Sequence, residues 1–280
     1  MLFITSICVI YIIFGAIIGK WLAAKGITAS NAINNYQKQS YIVFSTIVAI
    51  IVAIIIIDRL KLTDNFSNLI LMYVAEYTNY LVLALGSFSL GLLVLLEWGG
   101  RGDRQRLKEM LIAVPTIMFA ITILLHYSLP VTNLLGIPAV VEGIVLQTTP
   151  YTCAPASIAT LANFIGIKPP LTEKDVVSIT NTNRFGTTIL AEIRTMEKLG
   201  MEPQYKRGLK ITDLINHNKL AIIHVNEPIS GITIDHAIVL LEINPSKQTV
   251  IVGNPLYGRQ VKTFEQMQGY WKEDAIFVNR

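Results

Sequence analysis

The sequence predicts two regions of different kinds: an N-terminal all-α membrane bundle of about four transmembrane helices and a C-terminal α+β domain. Long apolar runs lie before residue 130, and sequence of ordinary globular composition follows. Over the whole chain, 52% of the residues are hydrophobic and only 15% are charged, against about 25% charged residues in soluble domains. In the second half, helix-forming segments come first and short strand-like segments follow, an order that favours an α+β domain.

Four uncharged apolar runs define the predicted bundle. They cover residues 2–18, 41–57, 80–96 and 110–125. Each run approaches the roughly 20 residues that cross a bilayer as a helix. Pro115 lies inside the fourth run, where a membrane helix tolerates a proline with a kink. We therefore expect residues 1–127 to form a multi-pass anchor in the cell membrane.

The basic residues between the runs predict which way the bundle faces. Most of them lie in the first and third loops: Lys20, Lys25, Lys38, Arg101, Arg104, Arg106 and Lys108. The second loop carries only Arg59 and Lys61, beside acidic residues. Because basic loops stay in the cytoplasm, the C-terminal domain is predicted to be extracytoplasmic. The runs hold almost no ionisable residue at mid-depth, which favours an anchor over a pore or pump.

Residues 128–139 are interpreted as a juxtamembrane linker and residues 140–280 as the globular domain. We expect its helices to begin near Cys153, Thr172 and Thr188, where capping residues or a proline precede apolar periodicity. A short strand and a short helix are expected to follow at residues 203–206 and 211–217.

Segments rich in isoleucine and valine predict the main strands of this domain. They are residues 221–225, 237–243 and 249–252, and residues 260–263 and 275–278 are candidates for further strands. The turn-forming stretch 244–247 separates the second segment from the third, so these two are expected to pair as a hairpin. A cleft between the helical part and the strands is then the natural place for a site.

Cys153 is the strongest candidate for chemistry. Pro155 suits the first turn of a helix and Ala156 favours its continuation, so the cysteine is placed at a helix N-terminus. The partial positive charge there favours the thiolate, and we expect the pKa of Cys153 to be lowered. Gln147 stands six residues upstream, where its amide can donate to a developing oxyanion.

His236 and Asn254 supply the partners that a nucleophilic cysteine needs. His236 precedes the strand 237–243, and Asn254 follows the strand 249–252. If the two strands form a hairpin, these residues lie side by side and face the cysteine helix. The histidine can take the thiol proton and the asparagine can fix the ring tautomer, as in a papain-like cysteine peptidase.

Four segments together carry a resemblance to a known family. They are Gln147, residues 153–157 (Cys-Ala-Pro-Ala-Ser), residues 235–240 (Asp-His-Ala-Ile-Val-Leu) and residues 252–255 (Val-Gly-Asn-Pro). In order and spacing they resemble the peptidases that remove double-glycine leaders from bacteriocins and related secreted peptides. The resemblance implies that Cys153 is the nucleophile, His236 the general base, Asn254 its orienting residue and Gln147 the oxyanion-hole glutamine. It also implies cleavage after a Gly-Gly pair.

The sequence departs from that family at two positions. Ala154 stands where the family usually has glycine, and Asn254 where it usually has aspartate. Well-known members are fused to ABC exporters, whereas this sequence has no GxxxxGK[ST] motif, so a separate exporter is the implied partner. In exporters this domain faces the cytoplasm, whereas the loop charges place it outside. The resemblance and the loop charges therefore give different predictions for the side of the membrane.

Other classes of site are disfavoured by the sequence. Cys8 and Cys153 make no disulfide framework, and His217 and His224 lack metal-ligand spacing, so no metal or cofactor is expected. No basic block points to nucleic acid. The expected partners are a peptide substrate with a leader sequence and the lipid membrane.

Two alternatives from other classes remain. The domain could bind a leader without cutting it and dock cargo to an exporter, which the residue at position 254 keeps open. Alternatively, the membrane half could belong to a transporter or channel that the soluble domain regulates.

Overall fold

The computed structural model describes residues 2–27, 68–98 and 104–278. They fall into two compact units, Met1–Leu129 and Pro130–Arg280. As far as it is described, the first unit is entirely helical, whereas the second combines helices with antiparallel strands.

Three helices of the first unit are described. They are α1 (Leu2–Ala24), α2 (Asn68–Trp98) and α3 (Arg104–Tyr127). Cys8, Leu83, Leu90 and Ile121 are buried together between them, as expected for a small apolar cysteine. The predicted runs 2–18, 80–96 and 110–125 lie within these helices, and the run 41–57 lies outside the described residues.

Within the described part of the chain, one helix is long and apolar enough to cross a membrane, at Ile4–Ala24. The third and fourth predicted runs lie in helices whose apolar stretches, Tyr80–Leu95 and Val114–Tyr127, are shorter. Polar and charged residues precede both stretches within the same helices. The expected four apolar spans are therefore too many for the described residues, which support one.

The helices α1 and α2 cross with their backbones in contact. A side chain added at Gly15 would collide with the backbone carbonyl of Phe88, and one at Gly91 with that of Ile12. Close approach through glycines is a common way for apolar helices to gain packing contacts. The rings of Phe14 and Phe88 pack beside the crossing, with centroids 5.8 Å apart.

The second unit contains five α-helices and eight strands among the described residues. The helices are α4 (Cys153–Ile165), α5 (Glu173–Thr180), α6 (Ile189–Lys198), α7 (Ile211–His217) and α8 (Phe264–Met267). The strands are β1 (Ala139–Val141), β2 (Ile144–Leu146), β3 (Pro203–Arg207), β4 (Ala221–Ile229), β5 (Ile232–Asn244), β6 (Thr249–Asn254), β7 (Gly258–Thr263) and β8 (Trp271–Val278). The predicted α+β class is confirmed.

Local signals explain where these elements begin. The Thr172 hydroxyl accepts a hydrogen bond from the Asp175 N–H, and Thr188 does the same for Ala191, so both predicted helix starts are confirmed. Strands β5 and β6 form the predicted hairpin. Strand β5 begins earlier than expected, because residues 230 and 231 make a tight turn with positive φ at both positions. His236 therefore lies inside the strand rather than before it.

Strands β3 to β8 form one antiparallel sheet in the order β3-β8-β4-β5-β6-β7. One apolar cluster joins helices α4, α5 and α6 to one face of the sheet, and a second joins α7 and α8 to the other. In the β4–β5 pair, His224 lies opposite Ala237 and Val225 lies opposite His236. Because successive residues of a strand face opposite sides, the two histidines face opposite sides of the sheet.

Candidate active site

Cys153 is the first residue of α4, and the loop before it is held at two points. At the first point, the backbone N–H and the hydroxyl of Thr148 donate to the Glu173 carboxylate, at 2.9 and 2.8 Å. At the second, the Gln147 N–H donates to the Pro255 carbonyl at 3.0 Å. The buried Glu173 at the start of α5 thus holds one part of the loop, and Pro255, the residue after β6, holds another.

The thiol of Cys153 lies beside Ala237 of β5, the residue that follows His236. The backbone N–H of Ala237 acts on the sulfur and lowers the pKa of the thiol. One turn further along α4, the Ser157 hydroxyl donates to the Ala237 carbonyl at 2.9 Å. The Ala237 backbone thus lies beside the first turns of α4.

The expected low pKa of Cys153 is wrong. Burial of the thiol is the largest effect and raises its pKa to about 11, and the Glu192 carboxylate adds to the rise. The N–H groups of Ala237 and of the helix start act in the opposite direction but are outweighed. At neutral pH the thiol is therefore protonated, and a base must remove its proton during attack rather than before it.

His236 and Asn254 are in direct contact. The Nε2 atom of His236 lies 3.0 Å from Oδ1 of Asn254, and both side chains are buried. The Leu256 N–H also donates to this oxygen, at 2.9 Å, which fixes the orientation of the amide. An amide oxygen only accepts, so Nε2 carries the proton. The other ring nitrogen, Nδ1, has no hydrogen-bond partner among the described residues and can accept a proton.

Burial lowers the pKa of His236, because the protonated ring is poorly solvated in the domain interior. The hydrogen bond to Asn254 and the negative charge of Glu227 oppose this effect without reversing it. His236 is therefore neutral at pH 7, which is the form that a general base requires.

Gln147 is held by its own loop. Its Nε2 donates to the Thr149 carbonyl at 2.8 Å, which leaves one amide N–H for another acceptor. Its Oε1 is buried and has no hydrogen-bond partner among the described residues.

Glu227 and Tyr270 belong to this network and were missed by the sequence reasoning. The Nδ2 atom of Asn254 donates to Oε2 of Glu227 at 3.0 Å, and the Tyr270 hydroxyl donates to the same oxygen at 2.6 Å. A signal was present in β4, where Ile223, Val225 and Glu227 occupy every second position and therefore share one buried face. A carboxylate at the third inward position of such a strand indicates a paired or functional group.

Residues 142–280 match the sequence model of the peptidase C39 family. The C-terminal domain belongs to this family. No curated protein sequence matches the chain. The C39 domain thus accounts for the helices and strands from β2 to the end of β8.

Solved structures similar to the chain include three peptidase domains. The peptidase domain of Streptococcus ComA, a bifunctional ABC transporter involved in quorum sensing, is 24% identical, with a TM-score of 0.41 over 48% of this chain and 94% of that one. A double glycine motif protease from an AMS/PCAT transporter, in complex with the leader peptide, is 18% identical, with a TM-score of 0.41 over 51% and 98%. The peptidase domain of Streptococcus mutans ComA is 24% identical, with a TM-score of 0.38 over 50% and 100%.

Proposed function

We propose that the chain is a membrane-anchored cysteine peptidase that cleaves a secreted or bacteriocin-like precursor after a Gly-Gly leader motif. The observation that carries the proposal is the hydrogen bond between His236 and Asn254. Ala237, which follows His236 on β5, lies close enough to Cys153 for its backbone N–H to act on the thiol. Membership of the C39 family supports the same reaction.

The geometry supports a mechanism in which proton transfer accompanies attack. His236 Nδ1 takes the proton of the neutral Cys153 thiol as the sulfur bonds to the peptide carbonyl carbon. The backbone N–H of Cys153 and the remaining amide N–H of Gln147 stabilise the oxyanion. Asn254 holds the ring through Nε2. The imidazolium then donates its proton to the leaving amine, and water releases the acyl group from the sulfur.

A Gly-Gly pair suits this site because residues without side chains can enter a narrow cleft. The substrate is a peptide with a leader, and a separate ABC exporter is the partner that would carry the product. Residues 1–127 would serve as the anchor, residues 128–139 as the linker and residues 140–280 as the peptidase domain. Anchoring would raise the local concentration of substrate at the exporter.

Membrane attachment is proposed through α1 at least, since Ile4–Ala24 has the required length and apolarity. The multi-pass arrangement and the extracytoplasmic side of the C39 domain rest on the apolar runs and the loop charges. Protease protection of the C39 domain in intact and permeabilised cells tests the side. Digestion only after permeabilisation would overturn the extracytoplasmic assignment.

The test of the reaction uses the full chain in detergent and a synthetic leader peptide with Gly-Gly before the cleavage point. We expect cleavage after the second glycine, detected by mass spectrometry, and none with Cys153→Ala or His236→Ala. Cys8→Ala is the matched control because it removes the other thiol and lies outside the C39 domain. A wild-type chain that fails to cut the peptide would overturn the proposal.

A leader-binding module without catalysis is the second candidate. Two observations favour it: a neutral asparagine stands beside His236, and burial keeps the Cys153 thiol protonated. It predicts that the same peptide binds the full chain without being cut. Fluorescence anisotropy of a labelled peptide measures binding separately from cleavage.

A further inference from the structure

Asn254 leaves the site without an ionised partner for His236. When His236 takes the thiol proton, it becomes a cation inside the domain, where an uncompensated charge is costly. The Oδ1 atom of Asn254 can accept the Nε2 proton, but a neutral amide contributes no net charge. Something else near the ring must offset the imidazolium for the proposed reaction to be efficient.

Glu227 is a buried carboxylate in the same hydrogen-bond network. Its side chain is buried on β4, with 5% of its surface exposed. Its carboxylate accepts hydrogen bonds from Asn254 and Tyr270 at 3.0 and 2.6 Å. Among the described residues, no lysine, arginine or histidine forms an ion pair with it. A buried anion of this kind is stabilised whenever a cation forms nearby.

The hydrogen bonds join these two groups through one side chain. Asn254 accepts from His236 on its oxygen and donates to Glu227 from its nitrogen. Gln260 lies 3.5 Å from the same nitrogen, and Leu256 occupies the second site on the oxygen. Each hydrogen-bonding position of the Asn254 amide is therefore used, so the amide cannot turn without losing several contacts.

We propose that Glu227 is a positioning residue of this site and that its carboxylate supplies, through Asn254, the negative charge that stabilises the protonated His236. The inference rests on the proposed peptidase function. It explains how the domain can work with asparagine at position 254, because the ionised carboxylate lies one hydrogen bond further from the ring.

Other charged groups near this network are less suited to the role. Asp235 is adjacent to His236 in sequence, but its side chain is exposed and pairs with Lys272 at 2.7 Å. Lys262 is a cation and lies over the ring of Tyr270, 4.2 Å from its centroid. Neither offers a buried negative charge to the imidazole.

The first experiment compares Glu227→Gln with Asp235→Asn in the full chain. Glutamine keeps an oxygen that can accept from Asn254 and Tyr270, so the change removes the charge and retains the contacts. We expect kcat/KM for the leader peptide to fall about ten-fold in Glu227→Gln, since a nearby charge in a partly screened interior is worth about that much. Asp235→Asn, the matched loss of an exposed carboxylate, should leave kcat/KM unchanged.

The second experiment moves the charge instead of removing it. Asn254→Asp alone places a second carboxylate in contact with that of Glu227. We expect it to lower kcat/KM because like charges at this distance repel. Combining Asn254→Asp with Glu227→Gln leaves one carboxylate, now in direct contact with His236. We expect the double variant to recover most of the activity that either single variant loses. Loss of activity that simply adds in the double variant would contradict the proposal.

A third readout does not depend on cleavage. The His236 ring is titrated by NMR in the full chain, and Glu227→Gln is expected to lower its pKa while Asp235→Asn does not. If neither the titration nor kcat/KM responds to Glu227→Gln, the role of Glu227 is overturned, and the peptidase function stands as long as Cys153→Ala is inactive. If the wild type does not cleave but the titration shifts, the electrostatic link stands and the peptidase function fails.

Discussion

The C39 domain holds two histidines on opposite faces of one strand pair, and one ring is protonated at neutral pH while the other is neutral. His224 lies between two carboxylates, with Nδ1 2.8 Å from Asp274 and Nε2 3.2 Å from Glu192. These carboxylates raise its pKa to about 10 even though burial acts in the other direction. His236 contacts a neutral amide instead, and burial lowers its pKa.

Because burial acts to lower the pKa of both rings, the difference between them shows that the ionisation of the partner decides what each histidine can do. A histidine that is charged throughout the neutral range cannot accept a proton, but it can join elements by ion pairing. His224 does so between β4, α6 and β8. A neutral histidine with one free ring nitrogen can act as a base. The two roles arise one register step apart in the same pair of strands.

The ion pairs of His224 are also linked to Cys153. The Glu192 carboxylate that pairs with His224 is one of the groups that raise the pKa of the thiol. Cys153 begins α4, which packs with Ala237 on the face of the sheet that carries His224, whereas His236 lies on the face of Val225 and Ile238.

The largest expected effect separates the two histidines by function. His236→Ala should lower kcat/KM for the leader peptide by about 10³-fold or more, because the thiol then has no base. The free energy of unfolding should change far less than in a His224 variant. Peptide cleavage and urea unfolding are measured on the same full-length variants. Unchanged cleavage in His236→Ala would contradict the assignment of His236 as the general base.

Removing His224 should act mainly on stability. His224→Gln leaves Glu192 and Asp274 buried without their cation, and we expect the free energy of unfolding to fall by about 3–5 kcal/mol. Urea unfolding measures it. Lys272→Gln, which breaks the exposed pair with Asp235, is the control and should cost about 1 kcal/mol or less. Equal effects of the two changes would show that the buried cluster is not a significant source of stability.

Alkaline pH should lower the folding stability of the domain, because His224 loses its charge. The folded pKa of about 10 lies above the ordinary value of 6.5, so the stabilisation is complete below pH 6.5 and is lost as the pH rises towards 10. The unfolding midpoint of the full chain should fall over this range, and less so in His224→Gln. Cys153→Ser is a useful control, because the thiol also has a raised pKa and destabilises the folded state above its ordinary value of 9.0.

The smallest expected effect concerns acid pH. Because burial lowers the pKa of His236 below its ordinary value of 6.5, the midpoint of the acid limb of kcat/KM should lie below pH 6.5. In Asn254→Asp combined with Glu227→Gln, the partner of His236 becomes a carboxylate as for His224, so the acid limb should move to higher pH. A pH profile of kcat/KM checks both. An acid limb above pH 6.5 in the wild type would contradict the assignment of His236 as the neutral base.

Much of the fold followed from local patterns in the sequence. The helix start at Cys153, the caps at Thr172 and Thr188 and the hairpin after residue 243 each depend on a few neighbouring residues, which is why they could be predicted. The contact between His236 and Asn254 followed in turn, since a short hairpin brings the ends of its strands together. The start of β5 was misjudged because the prediction rests on the continuous apolar run 237–243 alone, although residues 230 and 231 are a Ser-Gly turn pair and residues 232–236 alternate as a strand does.

The sequence by itself thus determined the α+β class, the order of the elements and which candidate side chains share the hairpin, because propensities and periodicity act over short distances. Only the tertiary structure decided the charge states. The pKa of Cys153 depends on burial, and that of His224 on carboxylates from α6 and β8, so neither could be calculated from neighbours in the chain. The same holds for Glu227, whose effect on His236 passes through a residue on another strand. Desolvation and charge act through space, and the tertiary structure sets those distances.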